Sequence, residues 1–454
     1  MISRTAPGPP GLAFLGNLSE FRRDVLGLLT RSRERYGDVV RFRLGPRVLH
    51  LVAHPDAIRQ VLQERAALYD KETRSSGKIR DLTGLGLLTA NGEMWRRQRK
   101  LVQAGFFPAA VDGFVQDMSA ATAAMLERWR PYAGSGRPLD VASEMMRLTY
   151  TIVGRTLFSA DVTADADEVE RAVEGLLAHT YRRLESIESP PLFLPTRGNR
   201  RFKEALATLD RVVYRIISAR RNGEGGRRPD LLDILLREQD EDTGERMDDP
   251  QLRSEVVTLL LAGHETTANT LTWAFYLLAR DPGAMERVHE EALSVLGDRV
   301  PEPEDLPSLS YTGRVIRESM RLFPPIWAME RRAIAEDVLG GFRIPAGSTV
   351  VISPWVTHRH PSFWDEPESF DPERFTREAS ADRPQLAYLP FGGGPRFCIG
   401  SHFGLSEALV ITAMVLRHWR LRLVPEHPVV PQPGITLRAR EGIWVTLEDW
   451  PGNR

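Results

Sequence analysis

The sequence predicts a mainly α protein with small β-sheets. Three observations lead there. From Asp56 to about Ala292, Leu, Val, Ala and Met recur at three- and four-residue spacing between Gly, Pro and Asp breakers. One capped run of about thirty residues lies within that stretch. Short runs of strand character are confined to the regions on either side of it.

Taken in chain order, the first forty residues read as a proline-rich arm, 1–20, followed by a polar amphipathic helix. RFRLG and RVLHLVA, around Gly45 and Pro46, predict a small hairpin. Asp248-Asp249-Pro250 places cap residues and a proline where a helix starts, and Arg280-Asp281-Pro282 stops it. A helix that long crosses a whole domain. Beyond Pro324-Pro325 the texture alternates, as in GGFRIPAGSTVVIS, then passes through Pro- and Trp-rich coil to Gly394. It returns to a helix from about Ile399 to Trp419. The one linker-like stretch, NGEGGRRPD at 222–230, is expected to join two helices, so 1–454 is expected to be a single domain.

Composition narrows the function classes. The 454 residues suffice for a large core, and 42% hydrophobic residues are too many for a disordered chain. With 60 Lys+Arg against 61 Asp+Glu, there is no electrostatic case for binding nucleic acid. A single cysteine, Cys398, excludes an internal disulfide framework and any Cys-rich metal site, and favours an intracellular compartment. The N-terminus lacks an apolar run of signal length, and Val256–Gly263 falls short of the roughly 20 residues of a membrane span. The expectation is a cytoplasmic protein without a membrane anchor.

Chemistry concentrates in a few segments. Phe391 to Gly400, FGGGPRFCIG, surrounds Cys398 with glycines that let backbone pass close to a flat or bulky ligand. A helix begins just after the sulfur, so its amides and Arg396 are expected to lower the thiol pKa and fit it as a metal ligand or nucleophile. No phosphate-loop pattern is completed there. In the long helix, Ala262-Gly-His-Glu-Thr-Thr267 breaks an apolar face. Thr266 can bond back to the carbonyl four residues earlier, Gly263 leaves a groove, and Glu265 beside Thr266 suits proton delivery. A hydrated kink is the plainer reading. A zinc-protease reading of His264-Glu265 fails because Ala stands at 268. Glu318 and Arg321 form an i, i+3 pair, ordinarily a surface ion pair, and Trp95 to Arg99 reads alone as a basic helix face.

As an ordered set, these segments resemble the cytochrome P-450 superfamily of haem-thiolate monooxygenases. The matching motifs are WxxxR (Trp95, Arg99), AGxET (Ala262 to Thr266), ExxR (Glu318, Arg321), PERF (Pro372 to Phe375) and FGxGxRxCxG (Phe391 to Gly400). The resemblance implies that fold, with haem b held between the long helix and the cysteine loop. It makes Cys398 the axial ligand of the iron. Phe391 and Gly400 would shield the sulfur, Gly400 by admitting the following helix. Trp95, Arg99, Arg332 and Arg396 would meet the haem propionates. Glu318, Arg321 and Arg374 would form a structural triad. Gly263 would make room for O₂, Thr266 would hydrogen-bond the activated oxygen, and Glu265 would connect it to solvent protons.

The implied activity is insertion of one oxygen atom, by hydroxylation or epoxidation, into a hydrophobic small molecule such as a fatty acid, terpene or steroid. Electrons are expected from a separate ferredoxin or flavodoxin with its NAD(P)H reductase, docking near Arg96, Arg97 and Lys100. Ser75–Leu88, Ser189–Pro195 and Phe323–Met329 are the candidate substrate-facing stretches. A peroxide-driven or non-oxygenating enzyme and a non-catalytic haem sensor stay open. The intact Glu265–Thr266 pair speaks against both.

Overall fold

A computed structural model describes residues 4–158, 166–186, 189–223, 230–237, 244 and 246–451. The start of the arm and most of the 222–230 linker lie outside the described residues.

The capped run forms the central helix, Asp249–Arg280, whose 32 residues extend about 48 Å at about 1.5 Å per residue. Asp248 caps it by accepting a hydrogen bond from the Gln251 amide, and Pro250 occupies the first turn, where no amide is needed. The helix is buried on nearly every face because the helices Val141–Phe158, Arg197–Arg221, Ser310–Leu322 and Ser401–His418 pack around it. It stays helical without a break through Gly263–Thr267. Lower in the same helix, Trp273 stacks on Phe323 with ring centroids 4.1 Å apart, and its indole N–H donates to the Leu437 carbonyl.

The hairpin forms as expected from β1 (Val39–Leu44) and β2 (Arg47–Val52), turning at Gly45 with φ +62°. It belongs to a five-stranded sheet with β3 (Tyr69–Asp70), β4 (Met329–Ala333) and β5 (Thr349–Ile352), in the order β1-β2-β5-β4-β3. β2 runs parallel to β5, with Leu49 opposite Thr349. The proximal helix Ser401–His418 starts slightly later than the sequence suggests, because Gly394–Arg396 forms a tight turn before it. Among the described residues no helix is long and apolar enough to cross a membrane.

The Glu318–Arg321 pair lies in the interior, against the ordinary expectation for that spacing. Both side chains are inaccessible, and Arg321 pairs with both Glu318 oxygens at 2.7 and 2.8 Å. Its other donors reach the carbonyls of His358, Pro367 and Ser369. Arg374 approaches Glu318 at 3.6 Å. Burial pushes the Glu318 carboxyl up and the Arg321 guanidinium pulls it back. The pair thus ties helix Ser310–Leu322 to the coil that leads into the cysteine loop.

Candidate active site

A cavity of about 940 Å³ has the central helix at Ala262–Thr267 on one side and the loop Phe391–Gly400 on the other. The loop holds its shape through backbone. The Cys398 amide donates to the Phe391 carbonyl at 2.9 Å, and Gly392 and Gly394 adopt φ of +76° and +67°. A side chain at Gly394 would place Cβ 1.8 Å from the Leu62 carbonyl oxygen, so only glycine fits. Phe391 lines the cavity wall, and its ring lies 6.3 Å from that of Phe397.

Cys398 lines the cavity and is exposed to it. Its thiol is not acidified as the sequence suggests. Burial pushes its pKa up, and the Gly400 amide, Arg99 and Lys71 oppose that only in part; Arg396 takes no share.

Cations gather at the cavity's edge. Arg396 lies over the Trp95 ring at 4.4 Å and donates to the Ala90 carbonyl at 2.8 Å, and Arg99 donates to the Phe397 carbonyl at 2.8 Å. Arg332 is not with them. Its guanidinium pairs with Asp70 at 3.0 and 2.5 Å, outside the cavity. Its neighbour Arg331 lines the cavity instead. Sequence reasoning missed Arg331 because two adjacent arginines differ only in strand register. It also missed Lys71, one of four lysines in the chain, which lines the cavity and donates to the Leu88 carbonyl at 3.0 Å.

Among the described residues, none of Lys71, Arg99, Arg331 and Arg396 is ion-paired with a carboxylate. Burial pushes Arg331 down to about 10. Burial and then the charge of Arg331 push Arg396 down to about 10, and burial with both arginines holds Lys71 well below its usual range. Buried cations without anions are costly. A flat dianionic group with a thiol-seeking metal, which is to say a haem, fits this set: carboxylates for the cations and iron for the sulfur.

On the opposite wall, Thr266 Oγ1 donates to the Ala262 carbonyl at 2.7 Å, as the sequence suggests. Glu265 does not bond to Thr266. It accepts from Thr436 Oγ1 at 2.6 Å and Arg438 Nε at 2.5 Å, a clamp across to the antiparallel strand pair 431–439. Gly263 lines the cavity, but a Cβ there would lie 3.1 Å from Val153, so its missing side chain admits helix Val141–Phe158 and not only a ligand. A Cβ at Gly400 would meet only Phe106, at an ordinary 3.8 Å, so the approach of the following helix does not require glycine there.

The rest of the wall is largely apolar. Ser75, Ile79, Leu87, Ile326 and Ala328 come from two of the expected stretches, whereas Ser189–Pro195 contributes nothing and Phe323 packs on Trp273. Tyr181 and Leu184, from the helix Ala166–Glu185, and the loop 430–436 complete it unforeseen. Glu330 is a further unforeseen member, a carboxylate one residue beyond the last expected stretch.

A profile of the cytochrome P-450 family matches residues 6–444. Cyclooctatin synthase of Streptomyces melanosporofaciens is 39% identical, over 96% of this chain and 94% of its own length. Cyclooctat-9-en-7-ol 5-monooxygenase of the same organism is 38% identical, over 93% of this chain and 90% of its own. Pentalenene oxygenase of Streptomyces avermitilis is 35% identical, over 95% and 94%.

Proposed function

The chain belongs to the cytochrome P-450 family and is an oxygenase, and from that premise we propose that it inserts one atom of O₂ into a terpene-sized cyclic skeleton. Of the classes open from the sequence, a fatty acid, terpene or steroid, the terpene is favoured by relatives that oxygenate such compounds. The observation that carries the haem-dependent reading is the cysteine sulfur facing a cavity edged by cations that lack anions.

Haem b, when bound, supplies reductive O₂ activation, and thiolate ligation favours O–O cleavage. The protein's own part is positional. Cys398 Sγ takes the iron, and Lys71, Arg99, Arg331 and Arg396 take the propionates, with Trp95 under Arg396 fixing its plane. The Thr266 hydroxyl gives its proton at the cavity wall once it leaves the Ala262 carbonyl. Glu265 relays protons from the side of Arg438, which is 38% exposed. Electrons come from a ferredoxin or flavodoxin drawn to the exposed Arg96 and Lys100 on helix Gly92–Gln103.

The test is the carbon monoxide difference spectrum of the reduced protein beside that of Cys398→Ser. The expected result is the far red-shifted thiolate band in the native chain and its loss in the variant. Turnover with a surrogate ferredoxin system should then require both reductant and O₂. A band at the histidine-ligated position in native, folded protein would sink the assignment.

A further inference from the structure

Glu330 has no role in haem binding or proton delivery, yet it lines the cavity from β4. Oε1 accepts from the Ser75 hydroxyl at 3.0 Å. Burial pushes the carboxyl up, and Thr73, Ser75 and then the charge of Arg74 pull it part of the way back. No ion pair involves Glu330 among the described residues. Around it the wall mixes hydrocarbon, from Trp327, Ala328 and Met329 on its own segment to Val351 and Leu49 across the sheet, with the polar Thr73 and Ser75 and the cations Arg47 and Arg74. A carboxylate placed there costs desolvation that two hydroxyls and a nearby charge offset only partly. A carboxylate has about four acceptor directions, so it can still receive a donor from inside the cavity.

Resting on the terpene reading above, we infer that Glu330 is a specificity-determining acceptor for a hydroxyl the substrate already carries. The preferred substrate is then an alcohol on a cyclic hydrocarbon skeleton. A parent hydrocarbon leaves Glu330 unpaired, and a carboxylic acid meets it with like charge. Such an alcohol is the product of an earlier oxygenation, or of water capture on the same skeleton.

The test is calorimetric binding to the haem-loaded full chain of three compounds that share one terpene skeleton: the hydrocarbon, its mono-alcohol and its mono-acid. The native protein should bind the alcohol about 10-fold or more tighter than the hydrocarbon, the size of one hydrogen bond to a charged acceptor, and the acid most weakly. Glu330→Leu should abolish the preference while hydrocarbon affinity holds or improves. Glu330→Gln, which keeps an acceptor, should retain a measurable part of it. The hydrocarbon affinity and the carbon monoxide spectrum of each variant report an intact fold. Equal loss of alcohol and hydrocarbon binding in Glu330→Leu overturns the inference in favour of a structural role, and tightest binding of the acid overturns it in favour of Arg74. Binding of hydrocarbon and alcohol alike by the native chain overturns this inference and leaves the terpene reading standing. Binding of none of the three, with a normal carbon monoxide spectrum, overturns both.

Discussion

Two buried residues of opposite charge, each poorly compensated, give parallel predictions. Glu255, in the first turns of the central helix, accepts the Leu87 amide at 2.9 Å, and among the described residues its second oxygen has no partner. Burial raises its pKa to about 7. The folded state therefore holds this proton more tightly than the unfolded chain does. The associated stability is intact below pH about 4.5 and is lost as pH rises through about 7. Glu255→Gln should leave stability nearly unchanged at pH 5 and raise it by on the order of 2–3 kcal/mol at pH 8, read by urea unfolding at both pH values. Arg331 is the converse case, a buried cation waiting for an anion. Arg331→Leu should make the haem-free protein more stable to heat and at the same time speed haem transfer to a competing apoprotein. A variant less stable in both forms would show that Arg331 serves packing alone.

At the scale of elements, the cysteine loop and the helix Ser310–Leu322 carry the sharpest expectations. Gly394→Ala would force a left-handed φ and a backbone clash with Leu62, so it should abolish haem retention in expressed protein. Gly400→Ala meets no such obstacle from protein atoms and should still bind haem. Arg321→Leu strands Glu318 in the interior and should cost about 3–5 kcal/mol, seen as loss of soluble protein or a steep drop in the urea midpoint. These elements also mark how far the sequence can be read. The central helix was legible because Asp248, Pro250 and Pro282 bound it, and the hairpin because Gly45 and Pro46 separate two alternating runs. Cys398, Trp95, Arg99 and Arg396 were legible as a motif set. Arg331 was not, because one residue of strand register decides between it and Arg332. Glu265 was legible as a cavity residue but not as the partner of Arg438, since that contact spans 173 positions of chain.

At the scale of the molecule, haem and fold are linked. The cations at the cavity edge repel one another until anions arrive, so removing haem should lower the thermal midpoint and adding haemin should restore it in a concentration-dependent way. The gain is about 4 kcal/mol at roughly 1,000 times Kd, and a midpoint indifferent to haemin would contradict the cationic edge as its seat. The sheet places a further demand on how the molecule is made. Leu49 pairs with Thr349, so the strand that completes the sheet is translated roughly 300 residues after the hairpin, or roughly 15–60 s later at typical elongation rates. Through that interval β2 presents an open edge to the crowded surroundings of the ribosome. Arg47, at the head of that strand, supplies charge that disfavours recruitment of a neighbouring nascent chain. Cys398 emerges later still, so cofactor capture has to be a late event in the life of each new chain, and its yield in a cell should follow haem supply at the end of synthesis more than at its start.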